Sequence, residues 1–200
     1  QGLTVLNVES SGSTAEAATG IKEVSSIRLF DLDGDGVREI YIDGKDANAD
    51  TITCVAFYSP DESQPLHLAL FDSQSYAQGS IKEFADSKLI LDTEMNILGT
   101  YKVKNVYALA DKSFSKASDD VVFDNNMTYV TTSKSITLSN GSLLATGTKL
   151  RFTSTDGSSV INFVTDGGFT GSIPIASSGS GWTISGQPDT SYFTSLPYKN

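Results

Sequence analysis

The residues best suited to chemistry stand in one short segment, DLDGDGVREI, at 31–40. Asp31, Asp33 and Asp35 alternate with other residues, and Glu39 follows four positions after the last aspartate. Calcium binds six to eight oxygen atoms, and closely spaced carboxylates on a loop that curls around the ion supply them. The spacing therefore predicts a metal site, with calcium as the expected ion.

The positions of the loop assign a role to each predicted ligand. The aspartates take positions 1, 3 and 5, and Gly36 at position 6 permits a sharp turn. Val37 at position 7 offers its backbone carbonyl oxygen, and Glu39 stands at position 9. The alternative is an acidic turn that holds no metal. Aspartates this close repel one another without a cation, which favours the metal, and magnesium's stricter octahedral geometry favours calcium.

The loop differs from an EF-hand in its last ligand and in its flanks. An EF-hand requires a bidentate glutamate at position 12, where this chain has Ile42. The flanking segments at 25–30 and 38–44 are rich in β-forming residues rather than helical in pattern. The same differences argue against a dockerin module. We therefore expect a calcium loop between two strands.

The segment LFDLDGDGVREIYI resembles the calcium loop of FG-GAP and VCBS-type repeats, which occur in β-propellers and surface proteins. It is also similar to single copies in extracellular proteins of clostridia-like bacteria. The resemblance implies a structural calcium ion that holds adjacent strands together. Because the chain has one copy of the motif, a complete propeller is not expected.

The first half of the chain is predicted to be β structure. Candidate strands, separated by turn residues, lie at 2–10, 25–30, 38–44, 51–58, 66–72, 88–92 and 100–110. Two segments leave alternatives open, since 10–20 fits a loop or a short helix and 76–86 fits one or two helical turns. The polar segment 113–120 marks a domain boundary. We predict an N-terminal domain, residues 1–120, formed by an antiparallel sheet or sandwich that carries the calcium loop.

The second half has shorter candidate strands. They lie at 127–133, 134–139, 148–154, 159–165 and 171–177, with Asn-Gly, Asp-Gly and other glycine-rich turns between them. Strands of this length and spacing fit a small barrel. The charge changes at the same place, because residues 1–120 contain 10 Lys and Arg against 20 Asp and Glu, whereas 121–200 contain 4 of each. The predicted fold is therefore mainly β, with a second domain at 121–200.

The segment from Ser142 to Ile175 resembles a bacterial SH3-like (SH3b) domain. A Gly-Thr pair precedes its first strand, Asp-Gly turns follow the strands, and a glycine opens the last strand. The closing WTISGQPDTSYFTSLPY is similar to the tails of such domains in clostridial surface proteins. This resemblance implies binding to peptidoglycan, a cell-wall peptide or a glycan. The Asn-Val-Arg signature and the central tryptophan of the family are absent, so its ligand groove does not carry over residue by residue.

Aromatic residues gather near the C-terminus. Trp182, Tyr192 and Tyr198, with Phe193 beside them, are candidates for a face on which a sugar or peptide stacks. The alternative is that they attach the terminal segment to the hydrophobic core of a small domain. Both interpretations stay open at the level of sequence.

Composition narrows the classes of function. A net charge of −10 argues against binding to nucleic acid or to anionic membranes. The chain has no apolar run long enough to span a membrane. Cys54 is the only cysteine, which excludes an intramolecular disulfide and a cysteine-rich zinc site.

No catalytic residue is predicted. Cys54 and His67 are the only candidate pair of nucleophile and base, and a cysteine within an apolar strand is usually an inert core residue. A hydrolase that uses two carboxylates is harder to exclude, because the chain has 24 acidic residues. None of them lies in a recognisable catalytic motif.

Together these patterns favour a secreted or surface-anchored bacterial protein whose signal or lipid anchor has been removed. The expected function is non-catalytic, a calcium-stabilised module that associates with the cell envelope or binds an extracellular ligand. The alternatives are an accessory or divergent extracellular hydrolase and a purely structural surface module. The sequence leaves the oligomeric state open.

Overall fold

The computed structural model describes residues 5–10, 13–124, 127–179 and 181–198. The protein is mainly β, and the helical element among these residues is a 3-10 turn at Asp189–Ser191. Within the described part of the chain, no helix has the length and apolar character needed to cross a membrane.

The chain divides into two compact units, each assembled from two stretches of sequence. Unit 1 comprises Gln1–Thr93 and Asn105–Ala117. Unit 2 comprises Glu94–Lys104 and Ser118–Asn200. The segment 94–104, which the sequence placed in the first domain, thus belongs with unit 2.

Unit 1 contains the first twelve strands, of which the last part of β10 and the first part of β11 belong to unit 2. In chain order they are β1 (Val5–Ser10), β2 (Ser13–Ala18), β3 (Glu23–Phe30), β4 (Glu39–Lys45), β5 (Thr51–Tyr58), β6 (Leu66–Leu68), β7 (Leu70–Phe71), β8 (Ala77–Gln78), β9 (Ser80–Ala85), β10 (Lys88–Asn96), β11 (Thr100–Ala110) and β12 (Ser113–Lys116). Strands β1 and β2 form an antiparallel hairpin.

The sheet that carries the acidic loop has the order β3-β4-β5-β6, with all neighbours antiparallel. Strand β8 also pairs with β5. Strand β3 lies at the open edge of this sheet, and β4 is its only partner among the described residues. In the rest of unit 1, β9 pairs with β10, and β10 lies beside β11. Strand β12 forms an antiparallel pair with β11 and a parallel pair with β7.

Strands β4 and β5 are buried on both faces. On one face, Tyr41 and Val55 belong to a core cluster with residues of the second sheet of unit 1. On the other face, Ile42 and Cys54 pack with Ile21. A strand covered on both sides gains from apolar residues at almost every position, which explains the largely apolar sequence TITCVAFY of β5.

Unit 2 contains the remaining strands, most of them short. They are β13 (Val121–Phe123), β14 (Val130–Thr131), β15 (Ile136–Thr137), β16 (Leu143–Leu144), β17 (Lys149–Thr155), β18 (Val160–Thr165), β19 (Thr170–Pro174), β20 (Ala176–Ser178), β21 (Gly181–Ile184) and β22 (Gln187–Pro188). In the strand order β11-β13-β17-β18-β19 all neighbours are antiparallel, and β14 also pairs with β17. Strands β15 and β16 form a hairpin, and β20, β21 and β22 form a small meander.

A single aromatic-rich cluster forms the core of unit 2. Tyr101 packs edge-on against Phe123 and Phe152, and Phe152 packs edge-on against Phe193. The β17–β18–β19 meander has the order of strands and turns on which the SH3-like resemblance rests. The SH3-like barrel itself stays a prediction.

Three local expectations need correction. Residues 13–18, expected in a loop or helix, form β2, and residues 11 and 12 lie outside the described residues. The segment 76–86, expected to contain helical turns, forms β8 and β9. The polar segment 113–120 includes β12, whose Phe114 is buried. In each case pairing with a neighbouring strand outweighs the weak local preference of the sequence.

Candidate metal centre and aromatic pocket

The acidic loop connects β3 to β4, where Phe30 lies opposite Glu39 in the antiparallel register. Its backbone is organised by its own carboxylates. The two oxygens of Asp31 accept hydrogen bonds from the amides of Gly34, at 2.7 Å, and Gly36, at 3.0 Å. Asp33 and Asp35 each accept the amide two residues further on. These are Asx-type turns, which hold the carboxylates in fixed orientations.

The glycines of the loop are required by its backbone. Gly34 and Gly36 have φ angles of 76° and 89°, in the left-handed region that other residues rarely adopt. The sequence predicted this role for Gly36. Gly34 has the same role, and the repeated Asp-Gly pair was the available signal.

Glu39 is the one buried member of the acidic group, with 2% of its surface exposed. Its Oε2 accepts hydrogen bonds from the Leu32 amide and the Tyr41 hydroxyl, both at 2.9 Å. Burial is the largest effect on the pKa of Glu39 and raises it. The two hydrogen bonds lower this pKa, whereas the negative charges of Asp33 and Asp31 raise it, and the net result is a raised pKa. A cation beside these carboxylates would offset both their mutual repulsion and the cost of burying the charge of Glu39.

The four predicted carboxylates converge. One potential ligand oxygen from each of Asp31, Asp33, Asp35 and Glu39 lies within 4.8 Å of the others. Oxygens on opposite sides of one calcium ion are about 4.6–5.2 Å apart, because each Ca–O distance is about 2.3–2.6 Å. In the part of the chain that the structure describes, no Lys or Arg forms an ion pair with this group. The residues therefore fit a metal ion.

The structure also describes Val37 and Ile42, which take positions 7 and 12 of the loop. Val37 is exposed, and its amide donates to Asp35 at 2.7 Å. Its carbonyl oxygen as a ligand stays a prediction. Ile42 is buried in the apolar cluster on the opposite face of β4 from Glu39. The loop therefore lacks the EF-hand ligand at this position, as the sequence predicted.

A cleft of about 620 Å³ adjoins the loop within unit 1. Asp33, Asp35 and Glu39 line it together with Glu62 and Lys112. Lys112 donates to Glu62 at 2.6 Å, and this hydrogen bond is the main reason that the pKa of Glu62 is lowered. The cleft thus places an acidic surface beside the carboxylate group.

The aromatic residues near the C-terminus separate into two environments. Trp182 and Tyr198 line one pocket of about 520 Å³ in unit 2, together with Asp189. Trp182 donates its indole N–H to the carbonyl oxygen of Asn96 at 2.8 Å. The Tyr198 hydroxyl donates to the carboxylate of Asp189, which is buried. Each aromatic ring is thus held in position by a polar partner.

Tyr192 does not line this pocket. Tyr192 and Trp182 both pack against the core of unit 2, which agrees with the packing alternative. The ammonium group of Lys134 lies 5.8 Å from the centre of the Tyr192 ring, within the range of a cation–π contact.

Asn96 and Asp189 were not predicted as members of this pocket. Asp189 had a weak local signal, since it follows Pro188 and opens the 3-10 turn. Asn96 had none, because it is 86 residues from Trp182 in sequence. Only tertiary structure brings such residues together.

The candidate catalytic pair is separated by the sheet. His67 lies opposite Phe57, on the face of β5 that does not carry Cys54. Burial raises the pKa of Cys54 to about 12, and its thiol donates to the carbonyl oxygen of Thr19. His67 instead contacts Glu62 at 2.8 Å. This geometry does not support a cysteine nucleophile.

Comparison of the chain with models of protein families, with curated proteins and with solved structures found no match. The resemblances to FG-GAP and VCBS-type loops and to SH3-like domains therefore stay predictions from the sequence.

Proposed function

We propose that this protein is a non-catalytic binding module of the cell exterior whose first unit is stabilised by one calcium ion. The observation that carries the proposal is the convergence of four carboxylates, one of them buried, without a partner Lys or Arg among the described residues. Asp31, Asp33, Asp35 and Glu39 would hold the ion. Bound calcium would neutralise their mutual repulsion and connect the ends of β3 and β4.

Calcium suits the chemistry of this donor set better than other common metals. All the side-chain donors are carboxylate oxygens, which hard cations prefer and which softer metals such as zinc use less often. The loop is exposed and contains two glycines, so it can adapt to the irregular, high coordination number of calcium.

The metal proposal is tested by measuring the melting temperature with calcium and with a chelator. Wild-type protein should melt at a higher temperature with calcium, and Asp33→Asn should remove most of this difference. Asp46→Asn is a matched control, because Asp46 also accepts backbone amides in an acidic turn but does not belong to the converging group. Identical melting curves with and without calcium would contradict the proposal.

The second part of the proposal concerns the ligand. The pocket of Trp182 and Tyr198 combines aromatic rings with the carboxylate of Asp189, a combination suited to a sugar or peptide. We propose peptidoglycan, a cell-wall peptide or another extracellular glycan as its ligand class.

Sedimentation with purified, insoluble peptidoglycan tests the ligand. Wild-type protein should pellet with it, and Tyr198→Ala should weaken binding by about tenfold through loss of a stacking ring. Tyr129→Ala is the matched control, because Tyr129 is 44% exposed, close to the 41% of Tyr198, and lies outside the pocket. If wild-type protein stays in solution, a purely structural module is favoured, in agreement with the packing of Tyr192 and Trp182 against the core.

A further inference from the structure

Strand β3 is an open edge with apolar side chains exposed to solvent. In the described residues it pairs with β4 alone, so its other edge presents free backbone N–H and C=O groups. Val24, Ile27 and Leu29 are 40%, 58% and 58% exposed. Natural sheets usually protect such edges with charges, prolines or a covering segment, because an open edge can pair with another strand.

A bulge in β3 determines which side chains share a face. Glu23 lies opposite Lys45 and Arg28 opposite Tyr41, so both project from the same face as the odd-numbered residues of β4. Val24 lies opposite Gly44 and Ile27 opposite Ile42, on the other face. The register shift between Val24 and Ser26 produces this arrangement, because Glu23 and Arg28 are five positions apart and would project from opposite faces of a regular strand.

This pattern makes β3 complementary to itself. In an antiparallel pair, residues directly opposite each other must project from the same face. If Glu23 of one copy lies opposite Arg28 of a second copy, then Val24 lies opposite Ile27, and both pairs satisfy this rule. The two-fold symmetry repeats each pair, so the interface contains two Glu–Arg pairs and two apolar pairs. The same number of residues lies between these cross-strand pairs on each of the two strands. The bulge of one copy therefore lies opposite the bulge of the other.

We propose that β3 is a self-association edge, through which two copies of this chain pair antiparallel over Glu23–Arg28. The partner is a second copy because, in this symmetric register, each Glu23 lies opposite an Arg28 and each Val24 opposite an Ile27. Among the described residues, the carboxylate of Glu23 has no hydrogen bond or ion pair within its own chain. Arg28 lies 3.7 Å from the carboxylate of Asp43, but its side chain is 42% exposed and its guanidinium has further N–H donors for the Glu23 of a second copy.

The acidic character of the chain does not prevent this pairing. Asp31 of one copy would lie level with residue 20 of the other, so the two acidic loops are roughly 35 Å apart at about 3.3 Å per residue. That distance exceeds the Debye length of about 8 Å at physiological salt. A six-residue pairing buries less area than a standard stable interface, so the dimer forms with a dissociation constant in the range of about 10 μM to 1 mM.

Sedimentation equilibrium with full-length protein tests the proposal. Glu23→Lys places like charges opposite each other and should raise the dissociation constant at least about tenfold. Glu16→Lys is the matched control, because Glu16 is also exposed on a strand and its replacement changes the net charge equally. Ile27→Ser should likewise weaken the dimer, whereas Leu143→Ser, at a residue that is 67% exposed in unit 2, should not.

The register is tested by cysteine cross-linking. The native Cys54 is fully buried, so an introduced surface cysteine is the only accessible thiol. A mixture of Val24→Cys and Ile27→Cys chains should form mixed disulfides faster than either chain alone, because these positions face each other. A wild-type protein that stays monomeric up to about 1 mM would overturn the proposal. So would a dimer that Glu23→Lys and Ile27→Ser leave intact, because it would use another surface.

Discussion

Several turns of this chain are built around a carboxylate that accepts backbone amides. Asp46 accepts the amides of Asn48 and Asp50, and Asp156 accepts three amides from the turn between β17 and β18. Taken singly, such turns need no metal. The acidic loop differs because its carboxylates also converge on one another and on the buried Glu39. Convergence, rather than acidity, separates a candidate metal site from an ordinary turn.

These residues could be predicted from the sequence to an unequal degree. The four carboxylates stand within nine positions, so the chain cannot place them far apart, and their spacing alone indicated a common site. The role of Tyr41 as a donor to Glu39 had no sequence signal, because it depends on the side-chain directions at the start of β4. Trp182 and Tyr198 were predicted together with Tyr192, yet only the first two line the same pocket.

Asp156 should make stability depend on pH. Partial burial acts to raise the pKa of Asp156, but hydrogen bonds from Ser159 and from backbone amides outweigh burial and lower the pKa well below its usual 3.8. The stabilisation is therefore fully present above about pH 4 and is lost as the pH falls through the lower folded-state pKa. Asp156→Asn should cost roughly 1 kcal/mol at pH 7 in urea unfolding, and much less near pH 2.

Asp166→Asn serves as the control for this prediction. Asp166 lies in the next turn, and its carboxylate accepts no hydrogen bond from the described residues. Its replacement should change the free energy of unfolding by less than about 0.5 kcal/mol at either pH. A loss at Asp156 that is equally large at pH 2 and pH 7 would show that the charge of the carboxylate is not responsible.

At the level of elements, the sequence predicted long strands better than short ones. The bounds of β5 and β11 agree with the predicted segments 51–58 and 100–110, because apolar runs or alternation are bounded by turn residues. Strand β2, STAEAA, consists of small and polar residues without strand preference, and it forms by pairing with β1. The loop at 31–38 was predicted because aspartate and glycine, which favour turns, alternate there.

Gly44 in β4 is packed too tightly against its neighbours to carry a side chain. A Cβ atom at this residue would overlap the carbonyl oxygen of Glu23 and a methyl group of Ile21. Gly44→Ala should therefore destabilise unit 1 by about 1–3 kcal/mol in urea unfolding, since backbone cannot move aside cheaply. Gly179→Ala is the control, because an added Cβ there meets nothing within 4 Å and the backbone is not left-handed. Equal stability of the two variants would contradict this account.

At the scale of the whole molecule, charge and candidate sites are unevenly distributed. The acidic loop belongs to unit 1, whereas the only tryptophan of the chain belongs to unit 2. The difference in net charge between the two halves of the sequence indicated two units with different surface charge. It could not reveal that segment 94–104 joins the second unit, because membership of a core depends on tertiary packing.

Calcium should act on unit 1 alone. Hydrogen exchange measured by mass spectrometry should slow on addition of calcium at residues 31–43, where loop amides already bond to the aspartates. Exchange in 118–198 should not change. In Asp33→Asn the same addition should have little effect anywhere. Protection spread evenly over both units would contradict a local structural role for the ion.

The division of each unit into two stretches of sequence has a consequence for how the protein is made. Ile97, Leu98, Tyr101 and Val103 belong to the core of unit 2, yet they are synthesised before residue 118. On the ribosome, this apolar segment must wait for the rest of its core, and unit 1 is not complete until residue 117 has emerged. A chain that begins at residue 118 never receives those four side chains. Neither unit can therefore be obtained by a single cut of the chain.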